Sequence, residues 1–319
     1  MQQTGPKGEL GDFLRSRRAR IRPEDAALPV FGGRRRVPGL RREELAQLAG
    51  VSADYYTRFE QGRAENASES VVGAVAAALR LDAVETAHLT RLVRNAGRAG
   101  SVPAAGAAVE AEQLVRPGLR RLLESMPGTP AFVLGRRTDI LAWNPLFAAL
   151  VTDFAALPPQ RRNKAWLVFL DPVTRGRFVN WETKARDLVA FLRFDLARHP
   201  HDARAAALIA ELTEHSPEFG PLWRAQEVAG KTHGGYHLRH PLAGEFTLAY
   251  ESLSLPDDPD QTLVTYTAEA GSPSEAALRI LASEAARGAR AVDGSGARDA
   301  SGAAPAPAPR PAARTDRPA

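Results

Sequence analysis

The stretch Gly39–Arg63, GLRREELAQLAGVSADYYTRFEQGR, decides how the first third of this chain folds. Arg41–Ala49 carries the apolar spacing of a short helix that buries Leu45, Leu48 and Ala49. Gly50 ends that helix, and Ser52 is the residue type that caps another, which runs to Gln61. Only Val51 lies between them, so the two axes must cross steeply. Val51 at N′ and Tyr56 at N4 have the spacing of a hydrophobic staple, which fixes the crossing. At about 100° per residue, Tyr56 and Phe59 form the buried edge of the second helix; Asp54, Arg58 and Gln61, flanked by Ala53, Tyr55 and Thr57, form the opposite edge.

Positive charge surrounds this unit. Ten arginines lie between Arg15 and Arg42. Upstream, Glu9–Ile21 places Leu10, Phe13 and Leu14 on one helical face and arginines on the other. A loop from Arg22 to Gly39 follows, punctuated by proline and glycine, with Arg34, Arg35 and Arg36 at its centre. Residues 1–100 hold 17 basic against 12 acidic side chains, residues 101–319 hold 25 of each, and the whole chain carries +5. All the net charge therefore belongs to the first hundred residues, the footprint of a polyanion-binding module joined to a neutral partner. A short, rigidly held helix with a polar outer face among cations has the geometry of a helix-turn-helix that enters the major groove of DNA.

The remaining composition narrows the class further. At 319 residues the chain is long enough for two domains and a tail. It contains no cysteine, so disulfides, thiolate catalysis and cysteine-held zinc are excluded. No run approaches the ~18 apolar residues of a membrane span, and MQQTGPKGELGD lacks the apolar segment of a secretory signal, so a cytoplasmic protein with no membrane partner is expected.

Along the chain, SESVVGAVAAAL and DAVETAHLTRLV read as two more helices, capped by Ser68 or Ser70 and by Asp82. These complete an all-α N-terminal domain over residues 9–97. Residues 98–116 read as a linker. Beyond it, AFVLGRRTDILAWN reads as two short strands around a turn, followed by helices near 145–152, 163–170, 181–198, 203–214 and 218–224. GYHLRHPL, EFTLAYESL and QTLVTYTAE are three further strands, the last two with clear alternation. SPSEAALRILASEAA is a closing helix capped by Ser272 or Ser274. The domain spans 117–284, and 285–319 reads as a disordered tail of Ala, Pro, Gly and Arg.

With these residues in view, REELAQLAGVSADYYTRFEQG resembles the Cro/C1-type helix-turn-helix, and GGRRRVPGLRREE resembles the MmyB-like transcription regulators of actinobacteria. The resemblance implies that Arg42, Ser52 and Gln61 contact phosphates, that Ala53, Asp54, Tyr55, Thr57 and Arg58 face the groove, and that Arg18 and Glu60 form a partly buried ion pair. From Pro117 to about Ala282, ILAWNPLFAALV, then NWETKARDLVAFLRFDLARHPHDARAAALIAELTEHSPEFGPLWRAQEV, then HLRHPLAGEFTLAYESL are similar to the MmyB-like ligand-binding domain. That implies a PAS-like α+β fold holding a fatty-acid-like molecule. The expected function is a one-component transcription regulator, binding operator DNA as a homodimer and biased by a small apolar ligand. The competing reading is an interaction scaffold whose helix-turn-helix does not bind DNA specifically.

Individual residues leave alternatives open. Arg34, Arg35 and Arg36 sit in a glycine-flanked loop that suits phosphate contact better than base reading. Asp54 either favours its helix N-terminus or accepts from a cytosine amine. Trp143, Phe147, Trp166, Phe169, Trp181 and Phe194 are ligand-lining candidates that also suit a core. Arg186 has the reach to clamp a ligand carboxylate or to pair with Glu182, and Asn144 reads as a helix cap. His233, His237 and His240 lie in a strand pattern that turns His240 away from the others, so no metal site is expected. Asp257, Asp258 and Asp260 form a solvated turn without the glycine of a calcium loop. No cofactor motif or catalytic constellation appears, so no enzyme is expected.

Overall fold

The computed structural model describes residues 5–26, 39–64, 67–98, 113–230 and 232–299. Among the described residues the N-terminal part has five α-helices, α1 (Pro6–Arg20), α2 (Arg42–Leu48), α3 (Ala53–Glu60), α4 (Glu69–Ala78) and α5 (Ala83–Arg98), with a short 3-10 turn at Pro23–Ala26. Their caps are those the sequence indicates. Ser52 Oγ accepts from Tyr55 N at 3.0 Å, and Ser68 Oγ from Val71 N at 3.3 Å. Asp82 and Glu85 form a reciprocal box of 2.8 and 3.3 Å at the start of α5. Leu10, Phe13, Leu14, Leu45, Tyr56, Phe59, Val75 and Leu89 meet in one core.

One sequence expectation for this domain needs correction. Leu48 is exposed, and Ala46 is buried in its place. With Leu45 and Ala49 defining the inner face of α2, Ala46 and Leu48 each fall about 80° from its centre on opposite sides, so periodicity does not choose between them and the packing of the neighbouring helices does. The arginines of α1 are largely engaged within the molecule. Arg17 is buried and pairs with Glu85 at 2.7 Å, Arg18 lies beside Glu60, and Arg20 reaches Glu85 and Glu227. Much of this charge is spent inside the molecule.

The C-terminal part begins with α6 (Pro117–Glu124), then β1 (Ala131–Leu134), β2 (Ile140–Trp143), α7 (Pro145–Leu150), α8 (Lys164–Leu170) and α9 (Pro172–Arg177). It continues with α10 (Trp181–Leu196), α11 (Ala203–His215), α12 (Phe219–Arg224), β3 (His233–His240), β4 (Gly244–Ser254), β5 (Thr262–Thr267) and α13 (Pro273–Asp299). The five strands form one antiparallel sheet in the order β2-β1-β5-β4-β3. A five-stranded antiparallel sheet wrapped by helices is the α+β architecture the PAS-like reading implies. One sheet face, with Phe132, Tyr236, Leu248, Tyr250 and Tyr266, packs under α7, α8, α10 and α13. The other, with Ala131, Val133, Ala142 and Leu263, is covered by Leu119 and Leu123 of α6.

The helices α6 and α9 were not anticipated. In α6, Pro117 supplies a favourable first position and Leu119, Leu122 and Leu123 the spacing, masked by the featureless run before it. Asp171 both ends α8 and caps α9, accepting from Thr174 N at 2.8 Å, so two helices abut where composition suggests one. Of the expected linker, residues 99–112 lie outside the described residues, while Gln113–Arg116 pack on the domain: Val115 is buried and Leu114 O accepts from Gln261. The helix α13 carries the backbone from Pro273 to Asp299, overlapping the start of the stretch read as a tail. Residues 300–319 lie outside the described residues.

Candidate nucleic-acid interface and sensor cavity

The turn between α2 and α3 depends on Gly50, whose φ of 66° favours a residue without Cβ, and on the bond from Val51 N to Ala46 O at 3.0 Å. Gly39 plays a tighter role: at φ 76°, a Cβ there would sit 2.3 Å from Arg18 O. These constraints set α3 so that Tyr56, Phe59 and Glu60 are buried while Ala53, Asp54, Arg58 and Gln61 are exposed and Tyr55 and Thr57 half-buried. The outer face expected from the sequence is therefore the outer face observed.

Glu60 fixes the angle of that face. Its side chain is 1% exposed; Oε1 accepts from Arg42 Nη2 at 2.7 Å and Nε at 3.1 Å, and Oε2 lies 3.4 Å from Arg18 Nε. Arg18 also donates to Leu40 O at 2.6 Å. One buried carboxylate thus joins α1, α2 and α3, and the Arg18–Glu60 pair implied by the resemblance is present. Arg42, at 43% exposure, presents a cation beside α3 while tied to Glu60. Asp54, in the first turn of α3, pairs with Arg58 one turn on, at 3.2 Å, both side chains lying in the open. Thr57 Oγ1 donates back to Ala53 O at 2.8 Å. Arg34, Arg35 and Arg36 lie outside the described residues.

In the C-terminal domain the structure disperses the aromatic residues singled out from sequence. Phe147 stacks on Phe132 and Phe154 with centroids 4.2 and 5.2 Å apart, on the helix-covered sheet face. Trp143 lies over Phe154 with Arg162 at 5.4 Å, and Trp166 donates to Glu211 at 3.1 Å under Arg161. Phe169 and Trp181 belong to a separate core with Phe219, where Trp181 Nε1 donates to Val168 O at 2.8 Å. Phe194 faces the other domain, with Arg91 at 4.3 Å from its ring. Arg186 is exposed. Of the seven, Phe147 alone borders the space between the sheet and α8, α9 and α10. Asn144 is a cap, as read: Oδ1 accepts from Phe147 N at 2.9 Å and from Ala131 N at 3.1 Å. His240 is buried and held by Ala149 O and Leu242 N while His233 is exposed, and no group of three metal-binding side chains occurs among the described residues.

Sequence reasoning missed Lys164 and Lys184. Two slots of about 30 and 20 Å³ lie against the sheet; Lys164 borders both, and Lys184 borders the smaller with Phe147, Thr174, Phe178 and Tyr266. The signal was available in composition, since only four lysines occur among 42 basic residues.

A third space, about 240 Å³, lies where the two domains meet, lined by Glu9, His88 and Leu92 on one side and by Arg193, Leu196 and Ile209 on the other. His88 sits edge-on to Phe13 at 5.0 Å. Burial, then the charges of Arg193, Arg17 and Arg91, push its pKa down to about 3. Burial likewise raises the Glu9 carboxyl. The domains are fastened around this space by Arg17 to Gln226 O at 2.8 Å, by Asn95 to Ala197 O at 2.9 Å, and by Val228, which enters the N-terminal core.

No helix among the described residues is long and apolar enough to cross a membrane. Comparison with known proteins agrees with the division into two parts. No curated protein matches the chain. Residues 9–89 match the model of a helix-turn-helix domain. Residues 115–281, more than half the chain, match that of the MmyB-like transcription regulator ligand binding domain. A DNA-binding unit with a capped, outward-facing α3, joined to a sensor domain of this type, places the chain among its relatives: it belongs to the MmyB-like transcription regulators.

Proposed function

We propose that the protein is a cytoplasmic, sequence-specific regulator that binds an operator as a homodimer, with α3 in the major groove. The observation that carries this reading is the polarity of α3: Tyr56 and Phe59 anchor one side, and the opposite side is polar, exposed and free of packing. Ala53, Asp54, Tyr55, Thr57 and Arg58 then face base edges, while Arg42, Ser52 and Gln61 flank them toward phosphates, joined by Arg34, Arg35 and Arg36. A two-fold dimer sets half-sites about one helical turn apart. In the free protein Asp54 holds Arg58, so docking exchanges an exposed ion pair, worth about 0–1 kcal/mol, for a base contact.

The sensor half takes a small apolar or fatty-acid-like ligand between the sheet and α8, α9 and α10, beside Phe147 and Tyr266. Coupling runs through α10. Lys184 and Leu188 border the sheet-side slots, and Arg193, Leu196 and Ala197 border the space against α1 and α5. A ligand shifts operator affinity only by its difference in affinity between the two domain arrangements.

Selection of bound duplexes from a random pool by the full chain tests this reading. A two-fold consensus is expected, and no consensus would favour the scaffold. In the same assay Arg58→Ala is expected to weaken the best site by ~1–3 kcal/mol and to relax one base position. An unchanged profile for that variant would remove Arg58 from the groove.

A further inference from the structure

Of the four lysines in this chain, Lys7, Lys164, Lys184 and Lys231, two meet in the interior of the sensor domain. Lys184, on the sheet-facing side of α10, is 1% exposed, and its Nζ lies 3.8 Å from the ring centroid of Tyr236 and 4.8 Å from that of Phe178. That Nζ is buried without a hydrogen-bond partner. Lys164, at the first position of α8 and partly exposed, brings its Nζ alongside from over the Phe132 ring, 5.6 Å from its centroid. Asp187, one turn beyond Lys184, favours its charged form, and the facing phenols of Tyr236 and Tyr266 are pushed up by burial and stay neutral.

A chain that uses arginine for nearly all its cations has kept amines at these two interior positions. Two-point grip on an anion is what a guanidinium does better. An amine offers what a guanidinium cannot: it sheds its proton when desolvated or set beside another cation, and is then a nucleophile. Both conditions hold at Lys184. Burial and then the Lys164 charge hold it well below the usual lysine range, while Lys164 is lowered to about 8 and remains mostly charged at neutral pH. The arrangement favours the neutral amine at Lys184 beside the charge of Lys164.

We propose that Lys184 is a covalent capture site, its Nζ condensing with a small apolar aldehyde that enters the slot beside Lys164 to form an imine. The Nζ lone pair attacks the carbonyl carbon, a C–N bond forms, and the C=O π pair moves to oxygen. A proton passes from nitrogen to that oxygen, giving a carbinolamine. Lys164 protonates the hydroxyl, water leaves as C=N forms, and Lys164 recovers its proton from the iminium nitrogen. The balance is aldehyde plus amine to imine plus water. Slots of about 20 and 30 Å³, both bordered by Lys164, each have room for one or two water-sized groups, so even a short aldehyde enters only as the surrounding rings move. The adduct sits on α10, whose far end lies against the DNA-binding domain, so this inference deepens the sensor reading and rests on it for its consequence.

The test is trapping with propanal and cyanoborohydride on the full chain near neutral pH, read by peptide mass. Lys7, which is exposed, is the internal reference. The reduced adduct is expected at Lys184 at least about tenfold faster than at Lys7, because burial beside Lys164 favours the neutral, nucleophilic amine. Lys164→Met should slow it, and Lys184→Met should abolish it at that peptide while leaving Lys7 unaffected. Equal labelling of Lys7 and Lys184 in the wild type would overturn the proposal. So would an absence of adduct together with a rise in Tm on adding propanoate that Lys184→Met loses, which would make the pair an anion clasp. Because the readout uses no DNA, either failure leaves the operator-binding reading standing.

Discussion

Replacing Glu60 by alanine is expected to cost the N-terminal domain about 3–5 kcal/mol and with it operator binding. The size follows from what the carboxylate holds. Its removal leaves Arg18, which is largely buried, with a single carbonyl acceptor at Leu40, and frees Arg42 from α3. An uncompensated buried cation is the costly outcome, far more so than loss of an exposed pair such as Asp54–Arg58, whose deletion should move stability by no more than about 0.5 kcal/mol. Urea unfolding of Glu60→Ala and Arg58→Ala beside the wild type separates the two roles. Glu60→Ala should lose stability and binding together, and Arg58→Ala binding alone. A Glu60→Ala protein as stable as the wild type would mean that the α1–α2–α3 junction is held by packing and not by this carboxylate.

Acidification is expected to destabilise the protein through His88. The side chain is 2% exposed, and its folded pKa of about 3 lies below the unfolded value of about 6.5. Below about pH 6.5 the unfolded chain takes up a proton that the native state refuses. Stability is therefore lost as pH falls from about 6.5 toward 3, up to roughly 4–5 kcal/mol, with about 2 kcal/mol gone by pH 5. Glu9 works in the opposite direction, since a carboxyl raised by burial is protonated more readily in the native state. Comparing wild type with His88→Gln at about pH 7.5 and about pH 5 isolates the histidine. The wild type should lose about 2 kcal/mol more than the variant, and equal losses would place the acid sensitivity elsewhere. The histidine sits at the domain boundary, so this loss should loosen the fastening between sensor and DNA-binding domain as well as the core around Phe13.

What could be read from the sequence is what neighbouring residues decide. Gly50, Ser52, Tyr56 and Phe59 determine a turn, a cap and a buried edge within ten residues, and the structure places each where that arithmetic puts it. The alternation of Phe246, Leu248 and Tyr250 fixed β4 in the same way. What the sequence leaves open depends on partners distant in the chain. The arginines of α1 look solvated until Glu85, Glu60 and Glu227 arrive from elsewhere to pair with them. The aromatic candidates form one list in sequence but divide among the helix-covered sheet face, the α8–α10–α12 core and the domain boundary. Lys164 and Lys184 lie twenty positions apart on separate helices, and only the packing of α8 against α10 over the sheet brings them together. Periodicity carries no trace of such a pair, although the scarcity of lysine in an arginine-rich chain does.

The central claim is that α3 is the element presented to duplex DNA. Hydrogen exchange of the full chain, with and without a duplex recovered from the selection, reads it most directly. The account predicts slowed exchange at residues 53–58 in the complex, with little change in the strands of the sensor sheet. Unchanged exchange across 53–58, with protection appearing on some other surface, would contradict it.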